Sequence, residues 1–182
     1  MGAGMENRME IYNSLTKKRQ RFVPYEDGKI KMYTCGPTVY HFAHFGNLRS
    51  YFMEDLLEKT LRYLGYDVKR VMNITDVGHL SGDSDDGEDK MLKGARREHK
   101  TVMEIAGFYT DAFFEDCKKL HIKRPDVVEP ATGCIEEFIH MVQTLLEKGF
   151  AYEMGGNVYF DTSKLANYHV FSGQTEEELL VG

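Results

Sequence analysis

The sequence lacks any run of about 20 consecutive apolar residues, the length a helix needs to span a bilayer, and this excludes a transmembrane helix. Its start, Met1 to Glu10, also lacks the apolar centre of a secretory signal. Cysteine is scarce: Cys35, Cys117 and Cys134 are odd in number and widely separated, which excludes a disulfide framework and suits a reducing compartment. A cytoplasmic location is therefore expected. Excess positive charge is missing too. The formal net charge of -6 argues against wrapping nucleic acid by bulk electrostatics, because that mode of binding needs Lys and Arg in surplus. Any nucleic-acid contact is then local or made elsewhere. Internal repeats and low-complexity tracts are absent.

What is present suffices for one domain with a hydrophobic core and the start of another: 182 residues, 42% of them hydrophobic. Lys29 to Thr34 alternates polar and apolar residues as a strand does, and Cys35-Gly36-Pro37 ends it. From Gly46 the period changes to that of a helix through Leu48, Phe52, Leu56, Leu57, Leu61 and Leu64, with Gly65 as its stop. Val68 to Ile74 reads as a second strand. A polar loop rich in Asp and Gly follows, Asp76 to Asp89. Thr101 and Glu104 form a capping box before a long helix that ends near Leu120. A short strand at Asp126 to Glu129 and an amphipathic helix from Ile135 to Leu146, stopped by Gly149, complete an alternation of strand and helix. Such alternation predicts an α/β fold, a Rossmann-like parallel sheet with crossover helices, over residues 9–148. Ala151 to Met154 and Val158 to Asp161 flank Gly155-Gly156-Asn157, a hairpin signal that opens a separate antiparallel module over 149–182.

Ligands of an open parallel sheet bind outside the carboxyl ends of its strands. Two segments fall there, Thr34 to Asn47 and Asn73-Ile-Thr-Asp-Val77. Within the first, His44-Phe45-Gly46-Asn47 sits where the helix begins. A helix start offers unpaired N–H groups and partial positive charge to a phosphate, and Gly46 has no side chain to keep a nucleotide away. His44 and Asn47 share one side of that turn, either as donors to phosphate oxygens or as capping residues. Cys35 is either a small buried side chain at a strand end or a metal ligand. Thr38 and Thr75 either cap their loops or bond the ends of a substrate, with the Gly36 backbone beside them.

Together these strings, Cys-Gly-Pro-Thr-Val-Tyr, then His-Phe-Gly-Asn, then Asn-Ile-Thr-Asp, closely resemble the cysteinyl-tRNA synthetases. The likeness runs from about Ile11 to Phe160 and includes Arg124-Pro125-Asp126 and Leu146 to Tyr152. The resemblance implies a class I aminoacyl-tRNA synthetase whose nucleotide-binding fold is split by a connective insertion. It implies cysteine, ATP with Mg2+, and tRNA(Cys) as substrates, with cysteinyl-adenylate as the intermediate, and a monomer is expected. His44 and Asn47 would then be catalytic and, with Gly46, ATP-binding. Gly36, Thr38 and Thr75 would line the cysteine pocket. Cys35 would ligate a zinc ion that selects the substrate's sulfur, a preference that rests on the strength of the zinc–thiolate bond.

The chain departs from the family's pattern in two respects. Position 47 is Asn where the motif most often has His; Asn donates a hydrogen bond and carries no charge. The Lys-Met-Ser-Lys-Ser loop and three further zinc ligands are missing from these residues, so the chain reads as an amino-terminal fragment expected to be inactive alone. His41 is the only local substitute ligand the sequence suggests, being six residues from Cys35. The acidic run Asp83 to Asp89 lacks the ligand spacing of an EF-hand and reads as a solvated loop. Two alternatives compete: a cysteine-adenylating ligase that acts on an amino-sugar, and a catalytically silent nucleotide-binding fragment. The Val39-Tyr40 pair and the length of the 76–89 segment favour the synthetase over the first.

Overall fold

The structure, a computed structural model, describes residues 9–78, 101–168, 170 and 171. In chain order the elements are β1 (Glu10–Asn13), β2 (Lys18–Arg21), β3 (Lys29–Thr34), α1 (Phe45–Tyr63), β4 (Asp67–Ile74), α2 (Val102–Lys119), β5 (Val127–Pro130), α3 (Ile135–Glu147), β6 (Ala151–Met154) and β7 (Asn157–Phe160). Short 3-10 helices lie at Ala131–Cys134 and Thr162–Lys164. They fall into two compact units, one drawn from Met1–Val23 and Glu136–Gly182, the other from Pro24–Ile135.

The Pro24–Ile135 unit is the parallel sheet that the strand and helix alternation predicts. Its order is β3-β4-β5, and both pairs are parallel, with Tyr33 opposite Val71 and Val71 opposite Val127. Two apolar clusters form its core. Val39 and Ile74 pack with Ile105, Ala106 and Tyr109 of α2, and Tyr51 of α1 packs with Met72, Phe113, Cys117 and Ile122. The Thr101 capping box forms as expected: the Glu104 amide donates to Thr101 Oγ1 at 3.2 Å, and the Thr101 amide donates to the Glu104 carboxylate at 2.8 Å. Gly65 follows α1 at φ +91°, a left-handed conformation that favours glycine.

The face that α1 buries differs from the one its leucines suggest. Tyr51, Asp55, Glu58 and Leu61 turn inward, while Phe52 and Leu56 each stay 48% exposed. The reason is ionic. Arg70 of β4 is fully buried, and a buried guanidinium needs carboxylates around it. Glu54 supplies one oxygen at 3.0 Å and Glu58 another at 3.4 Å, while Thr34 Oγ1 accepts from Arg70 Nε at 3.1 Å. Glu58, itself fully buried, also pairs with Arg62 at 2.8 Å and with Lys123 at 2.9 Å. Asp126 closes the network through Arg62 at 3.0 Å, Lys123 at 2.9 Å and the Arg70 amide at 2.8 Å. Removing one member of such a network strands a buried charge, at a cost of about 3–5 kcal/mol.

The other unit contains two hairpins and α3. β1 and β2 pair antiparallel from Glu10 opposite Arg21 to Asn13 opposite Lys18, a hairpin the sequence pattern does not announce. β6 and β7 join through a two-residue turn, Gly155-Gly156, with φ of +61° and +82°, values suited to a tight hairpin in which neither residue carries a side chain. Tyr152 and Tyr159 stack across it at 5.7 Å. The segments Asp83 to Asp89 and Thr175 to Leu180 lie outside the described residues. Among the described residues no helix is long and apolar enough to cross a membrane.

Candidate active site

The carboxyl ends of β3 and β4 are knitted together by backbone. The Thr75 amide donates to the Pro37 carbonyl at 3.0 Å and the Val39 amide to the Thr75 carbonyl at 3.2 Å, which makes Thr38 and Thr75 partners in an isolated parallel bridge. Two segments singled out in the sequence thus become one structural feature. Beside it lies a cleft of about 270 Å3, lined by Gly36, Thr38, His41, Asn47 and Tyr51 among others. Cys35, His44, Gly46 and Thr75 are outside that lining.

His44 is the N-cap of α1. Its Nδ1 accepts from the Gly46 amide at 3.1 Å, and Asn47 Oδ1 accepts from the His44 amide at 3.1 Å. The two candidate phosphate donors therefore form a capping box, which satisfies donors that a helix start otherwise leaves unpaired. Capping and phosphate binding are compatible here. Each side chain caps with an acceptor atom, so neutral His44 keeps a proton on Nε2 and Asn47 keeps both protons on Nδ2. Both residues are exposed at the helix start. Gly46 has a defined part in this: a Cβ there would stand 3.1 Å from His44 Nδ1, crowding the ring that caps the helix.

Cys35 is exposed at the end of β3 and is not a small buried side chain there. A thiol of that kind suits a zinc ligand. Among the described residues, however, no three His, Cys, Asp or Glu side chains stand together as a metal site, so Cys35 is at most one donor of an incomplete set. His41 belongs to no such set; its ring lies parallel to Tyr109, 5.9 Å away with 9° between planes. Cys117 is buried in α2 and its thiol is pushed up to about 11, chiefly by that burial, which makes it inert at neutral pH.

Sequence reasoning gave no role of their own to three residues, although Asn73 opens one of the two segments it singled out. Asn73 binds the Gly36 amide and the Tyr33 hydroxyl through Oδ1, both at 2.9 Å, and donates from Nδ2 to Thr75 Oγ1 at 3.2 Å. The signal was its place at a strand end, where Asn commonly bonds two residues onward. Arg70 anchors Thr34, the residue before Cys35; an Arg that follows Lys69 in the strand gave no warning of burial. Tyr51 lines the cleft, and burial, then Glu54, Cys35 and Cys117, hold its phenol above the ordinary value, so it remains protonated. The Glu54 carboxyl is itself raised by burial, against the opposing pull of Arg70 and Thr34.

A family model described as tRNA synthetases class I (C) catalytic domain matches residues 21–182. Proteins named cysteine--tRNA ligase are similar: that of Treponema denticola is 49% identical over 174 residues, covering 96% of this chain and 35% of the relative. That of Borrelia garinii is 51% identical over 165 residues, covering 91% of this chain and 34% of the relative. The chain thus spans about a third of the length of the curated relatives it matches. Among solved structures, LeuRS in a ternary complex with tRNA and LeuAMS, from Agrobacterium radiobacter, matches 71% of this chain and 16% of its own at TM-score 0.53 and 20% identity. A putative arginyl tRNA synthetase from Campylobacter jejuni matches 79% of this chain and 39% of its own at TM-score 0.52 and 14% identity. At those identities the likeness speaks for the α/β fold alone.

Proposed function

Because the chain belongs to the tRNA synthetases class I (C) catalytic-domain family, we propose that it is part of a cysteine--tRNA ligase. Residues 9–148 supply the first half of the nucleotide-binding catalytic domain, and 149–182 begin a connective insertion. In the whole enzyme the carboxylate oxygen of cysteine attacks the α-phosphorus of ATP, forming cysteinyl-adenylate and releasing pyrophosphate. A hydroxyl of the terminal ribose of tRNA(Cys) then attacks the activated carbonyl, and AMP leaves. ATP enters with Mg2+. The enzyme works as a cytoplasmic monomer, and these residues alone do not complete the reaction.

One observation carries this reading. The capping box at the start of α1 uses the acceptors of His44 and Asn47 and leaves their donors for a phosphate, at the carboxyl edge of a parallel sheet where a nucleotide is expected. Those donors stabilise charge developing on the transferring phosphate. Gly36, Thr38 and Thr75 face the amino acid. Cys35 would give one thiolate to a zinc ion, whose affinity for sulfur would favour cysteine over serine; the described residues hold no complete ligand set for it.

Cysteine-dependent exchange of pyrophosphate into ATP by the full-length protein tests the assignment. Cys35→Ser is expected to raise the cysteine requirement far more than the ATP requirement. Equal losses for both substrates would assign Cys35 a structural role, and exchange driven equally by serine would remove the proposed selection of sulfur.

A further inference from the structure

The Asn73 side chain lies between the two loops of the proposed amino-acid site and bonds to both. Two of its three bonds land on either side of Cys35, at Tyr33 and Gly36, and the third lands on Thr75. The orientation of the amide follows from chemistry. A backbone N–H only donates, so the atom facing the Gly36 amide at 2.9 Å is oxygen, and the atom facing Thr75 Oγ1 at 3.2 Å is the NH2 group. Thr75 Oγ1 therefore accepts from Asn73, and its own proton points elsewhere. The Thr75 backbone is fully engaged, its N–H with Pro37 and its carbonyl with Val39, so the hydroxyl proton is the one donor Thr75 has left. The Gly36 amide, spent on Asn73, offers a ligand nothing.

We propose that Asn73 is a positioning residue of the amino-acid site: it braces Thr75 against the loop that carries Cys35, beside the backbone bridge, and fixes the Thr75 hydroxyl as a donor to the substrate's carboxylate. This rests on the synthetase reading above. An amino acid at neutral pH carries a thiol or other side chain at one end and, at the other, an ammonium that only donates and a carboxylate that only accepts. A hydroxyl that accepts from Asn73 and keeps its own proton to give matches the carboxylate. The backbone bridge holds the two loops together, and Asn73 adds a side-chain tie from that hydroxyl to both sides of Cys35, so one side chain links the groups that meet the two ends of cysteine. Precise placement of this kind counts in catalysis, since misplacement of reacting groups costs rate without removing any contact residue.

The isosteric variant Asn73→Asp tests the polarity directly. Its carboxylate still accepts from Gly36 and Tyr33, so the loop connection persists, but it takes the proton of Thr75 in place of giving one. In the full-length protein the KM for cysteine in pyrophosphate exchange is expected to rise about tenfold or more, the loss typical of a hydrogen bond to a charged group, while the KM for ATP stays within about twofold. Thr75→Val is expected to raise the cysteine KM similarly, and the Asn73→Asp, Thr75→Val double variant to be no worse than the poorer single variant, because Asn73 acts through Thr75. Should Asn73→Asp fail to fold, Asn73→Ser, one atom shorter and uncharged, is expected to give the same split between cysteine and ATP. Additive losses in the double variant, equal rises in both KM values, or tighter cysteine binding in Asn73→Asp overturn the proposal; the last would mean that Thr75 meets the ammonium. A wild-type protein that shows no cysteine-dependent exchange overturns the synthetase reading and this inference with it, whereas an active wild type with an unaltered Asn73→Asp variant overturns this inference alone.

Discussion

Gly36 lies so close to Asn73 that a Cβ built on it would stand 1.6 Å from the Asn73 carbonyl oxygen and 2.9 Å from Met72 Cγ. No side-chain rotation relieves a clash with backbone. Gly36→Ala must therefore part the ends of β3 and β4, and the expected loss is at or above the upper end of the ~1–3 kcal/mol typical of overpacking. Urea unfolding of the chain measures it. A midpoint equal to wild type would show that the two loops are not held in this contact.

Capping and nucleotide binding at the start of α1 separate in one variant. Asn47→Asp keeps the oxygen that accepts from the His44 amide and adds negative charge where a helix start favours it, so helix stability is expected to hold or rise by about 0.3–1 kcal/mol. ATP binding is expected to weaken, because the donor becomes a repelling carboxylate. Wild-type binding by this chain is expected near millimolar, about 4 kcal/mol, with amide shifts in a nitrogen-proton spectrum centred on residues 44–47. His44→Ala weakens it through loss of the Nε2 donor. Shifts confined to residues remote from the turn would contradict the site.

Gly46 is constrained by the cap as well as by the nucleotide. Gly46→Ala places a Cβ 3.1 Å from His44 Nδ1, and displacement of that ring is expected to forfeit about 1 kcal/mol of N-cap stabilisation. Gly46→Val is expected to abolish ATP binding altogether. Thermal unfolding and ATP titration of the two variants distinguish these effects, and an Ala variant more stable than wild type by the ~0.5–1 kcal/mol that Ala gains over Gly within a helix would mean that the ring adjusts freely.

The thiols should react in a fixed order. Cys35 is exposed, whereas Cys117 is 4% exposed with its thiol pushed up to about 11, so iodoacetamide at mildly alkaline pH is expected to label Cys35 first and Cys117 only on unfolding. Peptide mapping by mass spectrometry reads the order. Early labelling of Cys117 would place the packing of α2 in question.

Asp126 makes stability acid-sensitive. Burial works to raise its carboxyl, but the Arg70 amide, Lys123 and Arg62 outweigh that and hold it below its ordinary value of 3.8. A carboxyl depressed on folding contributes stability that is complete above its unfolded value and is lost as pH falls towards its folded value. Glu54, raised on folding, acts in the opposite sense as pH falls. Chemical unfolding from pH 6 downward is therefore expected to show a steeper decline for wild type than for Asp126→Asn, whose side chain cannot titrate. Parallel declines would mean that Asp126 is not engaged with these cations.

The sequence alone determined the strand and helix alternation, because hydrophobic period, the Thr101 and Glu104 box and the Gly65 and Gly149 stops are local signals that need no distant partner. It also determined the motif-bearing loops, since those lie at strand ends whatever else packs around them. Only the tertiary structure decided which face of α1 is buried: the leucine pattern favours Phe52 and Leu56, yet the buried Arg70 calls Glu54 and Glu58 inward from a strand whose neighbours gave no hint of it. It alone decided that His44 and Asn47 cap with their acceptors, which depends on side-chain rotamers. And it alone brought Asn73 against Gly36, 37 residues away in the chain, a contact made possible by the parallel pairing of β3 and β4, because long-range pairing is set by the packing of whole elements and leaves no mark on either segment by itself.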